Sequence, residues 1–388
     1  MLEKKTLTQL GVPSRRAVLR GTVGAAAAAA LGGATIKGAS AAERGSSRTQ
    51  MPIGGTSATL LQDLTGPDLT SRFDAPFTDL GIPVRCADGS MLFIGGDTYA
   101  GTDVLQGRWS CPVGLRSSSR VIDELAIDSC VGGDRVRQLV DEPHTPVPGT
   151  NPTTAIPTDV FRVGDTLYMH LMRGPIYQAH HTDFWKSDDN GETWQFLCKW
   201  DDVGQYKGAF QQKTYAVADN GTAYVLSTRF DRGQDSDLLL HRVALDRLGD
   251  PSAYEPWGFD ENDSGWAWGH EPTSVAKPRH WGEICFRAMD GKYAFTFFDD
   301  SAARIALQII PVPEGDLYAT PEQPLLFGAP FDHGSFLRNL YGGFIVPGST
   351  FDDFHIIASQ WVGHPEANTP DEYHFMHYRI DGISNSHP

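Results

Sequence analysis

A hairpin pattern that recurs along the chain limits the possible folds more than any other feature of the sequence. In each occurrence, two short apolar and β-branched runs flank a turn rich in Gly, Asp and Asn. The five turns are Ala87–Gly89, Val163–Asp165, Asp219–Gly221, Met289–Gly291 and Gly348–Asp352. Asp-Gly and Asn-Gly between β-forming runs are the strongest short-range hairpin signal. Because almost no apolar pattern at helical period follows residue 55, the sequence predicts an all-β fold.

The spacing of these hairpins indicates how the strands are organised. Successive turns are separated by 56 to 76 residues, which leaves room for two further strands in each interval. Units of similar length that cannot bury their apolar faces alone are typical of a β-propeller, and five hairpins predict five blades. The alternative is a pair of β-sandwich domains, which the absence of a Pro/Ser-rich linker disfavours. We therefore expect one five-bladed domain over residues 56–388, preceded by a flexible segment at residues 43–55.

Charge and residue usage disfavour nucleic-acid binding and give no sign of a metal or cofactor site. The chain has 388 residues and a net charge of −16, which disfavours a protein that binds nucleic acid through phosphate contacts. The 13 histidines and five cysteines show no HxxxH or CxxC spacing, so the sequence predicts neither a metal site nor a cofactor. At least one cysteine must be unpaired, and most are expected to be buried and apolar. The five are Cys86, Cys111, Cys130, Cys198 and Cys285.

The first 42 residues have the features of an export signal. Arg15-Arg16 precede a short Ala-rich apolar run and the small-residue stretch Ala39–Ala42. This order resembles a twin-arginine (Tat) signal peptide, and the apolar run is too short to span a bilayer. Residues 1–42 contain six basic residues and one acidic residue, so their removal leaves a net charge of −21. We therefore expect a protein that is secreted or associated with the cell wall, that has no membrane span and that acts on a neutral substrate.

One local motif supports the propeller prediction. Ser187–Trp194 reads S-D-D-N-G-E-T-W, which matches the Asp-box turn found in sialidase-like and other propellers. Asp189 is expected to cap the turn, Gly191 to supply a positive φ, and Trp194 to pack between blades. The motif argues for the fold and does not by itself assign a sialidase.

Two aspartates flank the first hairpin at equal distances from its turn. Asp79 and Asp97 are each nine residues from Asp88, so a simple antiparallel register places them opposite one another at the open end of the hairpin. Most glycosidases use a pair of catalytic carboxylates. One protonates the leaving oxygen, and the other activates water or attacks the sugar. Spacing alone leaves open that both only cap strand ends. It also leaves open whether the mechanism is retaining, which direct opposition suits, or inverting, which a bulge at Gly95-Gly96 would allow. The acid is not identified either, and we take Asp79 as the base and Asp97 as the acid as a working assignment.

The residues around this pair resemble a family of secreted bacterial endo-D-arabinofuranases. These glycoside hydrolases cleave the D-arabinan of mycobacterial arabinogalactan and lipoarabinomannan. The segments that carry the resemblance are Leu64–Pro67, Thr70–Phe73, Thr78–Pro83 and Gly96–Thr98, with Trp109, Tyr168–His170, Ser187–Trp194, Tyr254–Trp257, Trp281–Glu283, Tyr341–Gly343 and Ser359–Trp361 further along. The resemblance implies a five-bladed propeller, an inverting mechanism and two essential aspartates at Asp79 and Asp97. The chain departs from the family pattern at Asp159, where a small residue is expected, and in its glycine-rich Ile94–Gly96.

Other residues are candidates for substrate binding. Arg72 lies seven residues before Asp79, and Glu283 begins the fourth hairpin on the same side as Asp79 in the first. Trp109 and Trp281 are candidates for stacking on sugar faces, although core packing between blades is the more common role of such a residue. Gln212 is a weaker candidate for binding substrate. His170 is expected to be a core histidine.

Two other functions compete with an endo-acting glycosidase on D-arabinan. A sialidase-like hydrolase is disfavoured because such an enzyme needs clustered arginines for an anionic substrate. A non-catalytic carbohydrate-binding propeller of the cell envelope is the second alternative. The presence of both Asp79 and Asp97 in their motif counts against it.

Overall fold

The computed structural model describes residues 49–50, 55–263, 265–328, 337–362 and 372–385. The predicted signal at residues 1–42 lies outside these ranges. In the first half of the chain the strands are β1 (Thr49–Gln50), β2 (Ser57–Asp63), β3 (Phe77–Thr78), β4 (Ile82–Arg85), β5 (Met91–Gly95), β6 (Thr98–Tyr99), β7 (Trp109–Ser110), β8 (Val113–Ser117), β9 (Ser129–Cys130), β10 (Thr154–Val163), β11 (Thr166–Gly174), β12 (His181–Ser187) and β13 (Gln195–Trp200). They continue as β14 (Gln212–Val217), β15 (Thr222–Thr228), β16 (Leu239–Ala244), β17 (Glu255–Asp260), β18 (Gly265–Trp268), β19 (Trp281–Met289), β20 (Lys292–Asp299), β21 (Arg304–Ile310), β22 (Gln323–Phe327), β23 (Leu340–Ile345), β24 (Phe354–Val362) and β25 (Glu372–Asp381).

Helical structure in the described residues is confined to short connections. The one α-helix, α1, spans Pro67–Thr70, with proline in its first turn. The short 3₁₀ segments are Ser71–Phe73, Ile122–Glu124, Gln205–Gly208, Leu245–Arg247 and Pro251–Ala253. None of the helices in the described ranges is long and apolar enough to cross a membrane. The prediction of an all-β fold is confirmed.

The strands form six antiparallel sheets, of which five are large. The large sheets have the orders β4-β5-β8-β9, β10-β11-β12-β13, β14-β15-β16-β17-β18, β19-β20-β21-β22 and β1-β2-β25-β24-β23. The sixth is the small sheet β3-β6-β7, which continues the first hairpin beyond β4 and β5. Strand β2 pairs with β25 and so completes the sheet that contains β23, β24 and β25. Strand β1, which lies in the segment expected to be flexible, pairs with β2.

The first strands of the large sheets surround a common centre. β4 contacts β10, β10 contacts β14, β14 contacts β19, β19 contacts β23, and β23 contacts β4. These strands are covered on both faces, as in β10, where Thr154–Phe161 are all buried. The closed sequence of contacts gives a propeller-like arrangement, in which every inner strand lies between two neighbours.

All five hairpins predicted from turn chemistry are present. They are the pairs β4/β5, β10/β11, β14/β15, β19/β20 and β23/β24, and each forms the inner edge of one large sheet. The turns adopt the left-handed conformation that their glycines allow, with φ of +87° at Gly89 and +80° at Gly221. Local turn chemistry therefore predicts these hairpins, and the structure places them at the centre.

The Asp-box turn between β12 and β13 is built as its sequence predicts. Asp189 accepts hydrogen bonds from the Ser187 hydroxyl at 2.7 Å and the Thr193 amide at 2.8 Å. Gly191 has a φ of +85°, and a Cβ there would lie 2.5 Å from the Leu92 side chain of the first large sheet. The turn thus packs against the neighbouring sheet and has a structural role. All five cysteines are buried, in agreement with the prediction for most of them.

Candidate functional site

Asp79 and Asp97 stand opposite one another, as the spacing predicts. Thr78 pairs with Thr98 on one side of them, and Ile82 pairs with Ile94 on the other. Both pairs belong to the same antiparallel register, so the two aspartates occupy facing positions where the small sheet joins the first large sheet. The hairpin therefore presents two carboxylates side by side.

Two residues with positive φ and one glycine leave room for the two aspartate side chains. Leu80 and Gly81 both have positive φ, at +61° and +63°, which separates β3 from β4 immediately after Asp79. A Cβ on Gly96 would lie 2.4 Å from Asp79 Oδ1, so only glycine permits the observed position of that carboxylate. The glycine-rich approach to Asp97 is thus explained by the Asp79 side chain at Gly96 and by the Thr78 hydroxyl, 2.7 Å from a Cβ on Gly95.

Asp97 is held by donors from two other strands. Its Oδ1 accepts hydrogen bonds from Trp109 Nε1 at 2.8 Å and from the Thr154 hydroxyl at 2.9 Å. The side chain of Asp97 is buried, and His144 stacks on the Trp109 ring with 3.8 Å between centroids. His144 in turn is fixed by the Thr153 carbonyl and the Gln138 side chain. The orientation of the Asp97 carboxylate is therefore determined by packing.

Asp79 is surrounded by tyrosines and keeps one oxygen unpaired. The Tyr341 hydroxyl donates to Asp79 Oδ2 at 3.0 Å, while Oδ1 is buried and has no hydrogen-bond partner among the described residues. Burial and the negative charge of Asp97 raise the pKa of Asp79 from 3.8 to about 7, and hydrogen bonds from Tyr373 and Tyr341 oppose that rise. A carboxyl with this pKa is partly protonated near neutral pH and can donate a proton.

Glu283 lies beside this pair in a separate charge network. Its Oε1 contacts Arg232 Nη2 at 2.6 Å, and its Oε2 accepts from the Gly342 amide at 3.1 Å, next to Tyr341. The charge of Glu283 also contributes to the raised pKa of Asp79. Arg232 is partly buried and lies over the rings of Tyr341 and Tyr177. The site thus combines three carboxylates with one arginine and several aromatic rings.

The substrate-binding candidates divide into two groups. Trp109 and Glu283 belong to the site, the first through Asp97 and the second through Gly342 and Arg232. Arg72 is exposed, donates to the Ile127 carbonyl at 2.7 Å and lies over the Phe73 ring, so its contacts are elsewhere. The structure therefore gives no direct contact between Arg72 and either aspartate.

Trp281 and Gln212 require a correction. Trp281 is 1% exposed and donates from Nε1 to the Ser236 carbonyl at 2.9 Å, so its ring is a core group and cannot stack on a sugar. Gln212 is 4% exposed and donates to the Gly282 carbonyl at 2.6 Å, which joins β14 to the backbone next to Glu283. Both side chains were candidates for substrate binding from the sequence, yet packing between sheets buries them. His170 is fully buried and hydrogen bonds to Thr158, as expected.

Several site residues carried no assignment from the sequence. Tyr341, Tyr373, Thr154 and Arg232 are contributed by distant strands and one loop, and the Tyr341–Asp79 contact spans 262 residues. Tyr341 lies in the Tyr341–Gly343 segment that resembles the arabinofuranases, which was the available signal. The contacts of Tyr373, Thr154 and Arg232 depend on how the sheets pack against one another.

Among the described residues, one group combines three possible metal ligands. Asp123, Asp353 and His355 offer atoms within 4.8 Å of one another. Asp353 is 2.9 Å from His355 Nε2, and Arg379 lies 3.9 Å from Asp123, so these charges already have partners. The group lies by the Gly348–Asp352 turn, at the opposite end of β23 from Tyr341. It is separate from the aspartate pair.

Comparisons with known proteins agree on the extent of the domain. The chain is 24% identical over 312 residues to an uncharacterized 35.9 kDa protein from the asd 3′ region of Mycolicibacterium smegmatis, covering 76% of this chain and 89% of that protein. It is 26% identical over 323 residues to the notoamide biosynthesis cluster protein J′ of Aspergillus versicolor, covering 78% and 86%. A Bacteroides ovatus structure, provisionally described as a hydrolase, shares the fold with a TM-score of 0.57 at 13% identity, covering 85% of this chain and 93% of that one.

The family match includes both aspartates and all five inner hairpins. Residues 65–379 match the family described as a domain of unknown function, DUF4185. This range begins just before α1 and ends within β25, so it contains the complete ring of inner strands. The chain therefore belongs to the DUF4185 family.

Proposed function

We propose that this protein is an exported, endo-acting glycoside hydrolase that cleaves D-arabinofuranosyl linkages in mycobacterial-type arabinan, as found in arabinogalactan and lipoarabinomannan. The observation that carries this proposal is the facing pair Asp79 and Asp97, in which the pKa of Asp79 is raised to about 7. Two carboxyls with different environments can serve as acid and base on either side of a glycosidic bond. The substrate class follows from the sequence resemblance and fits the net charge of −16.

The architecture proposed for this enzyme is a five-bladed propeller. In it, each large sheet is a blade, and the small sheet β3-β6-β7 is an extension of the first blade that carries the aspartate pair. The closed order of contacts among the five inner strands supports this count. Asp79, Glu283 and Tyr341 then all lie near the start of an inner strand, at one end of the ring.

We assign Asp79 as the acid and Asp97 as the base, which reverses the working assignment made from the sequence. Asp79 would give its proton to the glycosidic oxygen as the bond to the anomeric carbon breaks. Asp97 would take a proton from a water molecule whose oxygen forms the new bond to that carbon. The raised pKa of Asp79 supports its role, and the two donors on Asp97 orient a carboxylate that acts as an acceptor. This single displacement inverts the anomeric configuration.

Incubation of the purified protein with arabinogalactan tests the proposed function. We expect short arabino-oligosaccharides to be released rather than free arabinose, and the first products observed by NMR should have the inverted configuration. Product with the retained configuration would refute the inverting mechanism. Binding to the polymer without any cleavage would instead support a carbohydrate-binding propeller.

Replacing Tyr341 with phenylalanine is expected to shift the pH profile. The Tyr341 hydroxyl bond lowers the pKa of Asp79, so its removal should raise that pKa above about 7. Because an acid is active while protonated, the alkaline limb of kcat/KM should move to higher pH by up to about one unit. Tyr318→Phe, at an exposed tyrosine outside this site, serves as the control. An alkaline limb that stays in place in Tyr341→Phe would contradict the assignment of Asp79 as the acid.

Export by the twin-arginine route is part of the proposal. Changing Arg15 and Arg16 together to lysine should keep the protein in the cytoplasm, because the paired arginines are the recognised feature of this signal class. Fractionation of cells that express the natural and changed sequences provides the measurement. Equal secretion of both would refute the assignment.

A further inference from the structure

The hairpin β17–β18 carries four aromatic side chains on one face. Trp257 pairs with Trp268, and Phe259 pairs with Trp266, across the two strands. Residues two apart in a strand share a face, as do directly paired residues, so all four rings lie on the same side. We call these four side chains the aromatic face. The Trp257 and Trp266 rings are stacked, with 6.0 Å between centroids and 19° between planes.

One end of the aromatic face is anchored and the other is open to solvent. Trp268 Nε1 donates to Glu314 at 3.0 Å, and Trp257 and Trp268 pack on the cluster that contains Tyr224 and Phe286. By contrast, Phe259 is 49% exposed and Trp266 is 42% exposed. Adjacent exposed aromatic rings on a soluble protein usually mark a binding surface, because their hydration is unfavourable.

The backbone behind the aromatic face is tightly supported. A Cβ on Gly258 would lie 1.9 Å from the Glu271 carbonyl oxygen, so the following segment packs directly against the hairpin. The Phe259 amide donates to the Thr273 hydroxyl at 3.0 Å. The exposed rings therefore project from a supported surface, which reduces the conformational entropy lost on binding.

The charges around the aromatic face favour a neutral ligand. Residues 260–271 contain four acids and no Lys or Arg, the acids being Asp260, Glu261, Asp263 and Glu271. One cation, Arg242, lies over the Trp268 ring at 4.4 Å, and its charge is paired with Glu255 at 2.6 Å. All four acids are exposed. Such a rim repels nucleic acid and anionic lipid, which need basic residues, whereas carboxylates accept hydrogen bonds from sugar hydroxyls. Aromatic rings provide flat apolar contacts for the faces of sugar rings.

Strand direction places the aromatic face at the same end of its sheet as the aspartate site. The strands β14 to β18 alternate in direction, so the loop between β15 and β16 and the turn between β17 and β18 lie at one end. That loop carries Arg232, which contacts Glu283. The exposed rings, next to the β17–β18 turn, are therefore at the end of the sheet that faces the site.

We propose that the aromatic face is a secondary binding surface for a neutral polysaccharide chain, separate from the aspartate pair. The identity of the polymer as arabinan rests on the proposed function, whereas its neutral character rests on the rings and their acidic rim. A chain held here would increase the local concentration of polymer near Asp79 and Asp97.

Affinity electrophoresis in native gels that contain arabinogalactan tests this surface. We expect the protein to be retarded, and the double variant Phe259→Ala/Trp266→Ala to require about tenfold more polymer for equal retardation, because both exposed rings of the surface are lost. The matched control, Phe196→Ala/Tyr318→Ala, removes two rings that are 52% and 48% exposed, and it should migrate like the unchanged protein. No retardation of the unchanged protein, or equal retardation of the Phe259/Trp266 variant, would overturn the proposal.

Further experiments distinguish binding at the aromatic face from the proposed hydrolase activity. The variant Asp79→Asn should be retarded as strongly as the unchanged protein. If this variant is not retarded, the polymer binds at the aspartate site, and the proposal of a secondary surface is overturned. Retardation in polygalacturonate gels that depends on Phe259 and Trp266 would overturn the neutral character of the ligand. If arabinogalactan is bound through these rings but never cleaved, the secondary surface stands and the proposed hydrolase activity fails.

Discussion

Replacing either Asp79 or Asp97 with asparagine is expected to lower the rate of arabinan cleavage by about 10²–10⁴-fold. The amide keeps the shape of the side chain but can neither give nor take the transferred proton. At Asp97 it also leaves the acceptor of Trp109 and Thr154 in place, so the packing of the site should survive. The measurement is the initial rate of oligosaccharide release, with circular dichroism to show that each variant is folded.

The control for this pair is Asp165→Asn, at an exposed turn aspartate of the second hairpin. It should retain the rate of the unchanged protein. A substrate with an activated leaving group needs little help from the acid, so it should restore activity to Asp79→Asn and not to Asp97→Asn. Restoration of Asp97→Asn alone would exchange the two roles. Full activity of both single variants on arabinan would contradict the catalytic assignment.

Asp79→Asn should also change stability in a pH-dependent way. The pKa of Asp79 is about 7 in the folded state and 3.8 when the carboxyl is free in water, so folding takes up a proton between these pH values. The carboxyl therefore becomes increasingly unfavourable to the folded state as pH rises from about 4 to about 7. The amide removes this effect, so the variant should be more stable by up to about 4 kcal/mol at pH 8 and nearly unchanged at pH 4. A variant that is less stable at pH 8 would show that the Asp79 carboxyl is not disfavoured by its surroundings.

The inner hairpins were predictable because their determinants are local. A turn such as Asp219–Gly221 fixes its own backbone conformation and the register of the flanking strands within about ten residues. The position of Asp79 opposite Asp97 could be predicted in the same way, because both aspartates are nine residues from Asp88. The β3-β6-β7 sheet was not predicted, since its strands have two residues each and carry almost no periodic signal.

The surroundings of the aspartate pair were less predictable because they are formed by contacts between sheets. Tyr341 and Tyr373 reach Asp79 from the last sheet, which joins the first only when the ring closes. Trp281 occupies a position that suits a sugar-stacking residue, yet its ring is covered by Phe297 and by Arg279. Exposure of a single side chain depends on this packing and not on its place in a motif.

Asp159, where the resemblance to the arabinofuranases led us to expect a small residue, lies in the centre of the ring. Asp159 is completely buried on β10, and its two oxygens contact Arg287 of β19 at 2.6 and 3.0 Å. The same carboxylate accepts from the Tyr215 amide of β14 at 2.8 Å. One side chain thus links the inner strands of three successive sheets, and its negative charge raises the pKa of Arg287 against the opposing effect of burial.

Replacing Asp159 with alanine is accordingly expected to destabilise the protein by about 3–5 kcal/mol, because the mostly buried guanidinium of Arg287 is left without its partner. Urea unfolding provides the measurement, and Asp201→Ala is the control, since the Lys199–Asp201 pair is 50% and 71% exposed and should contribute less than about 1 kcal/mol. Adding Arg287→Met to Asp159→Ala removes the unpaired charge and should recover part of the loss. If Asp159→Ala costs no more than Asp201→Ala, the central ion pair does not stabilise the ring. If the double variant is weaker than the single one, the loss instead reflects the other hydrogen bonds that Arg287 makes to the Val160 and Tyr215 carbonyls.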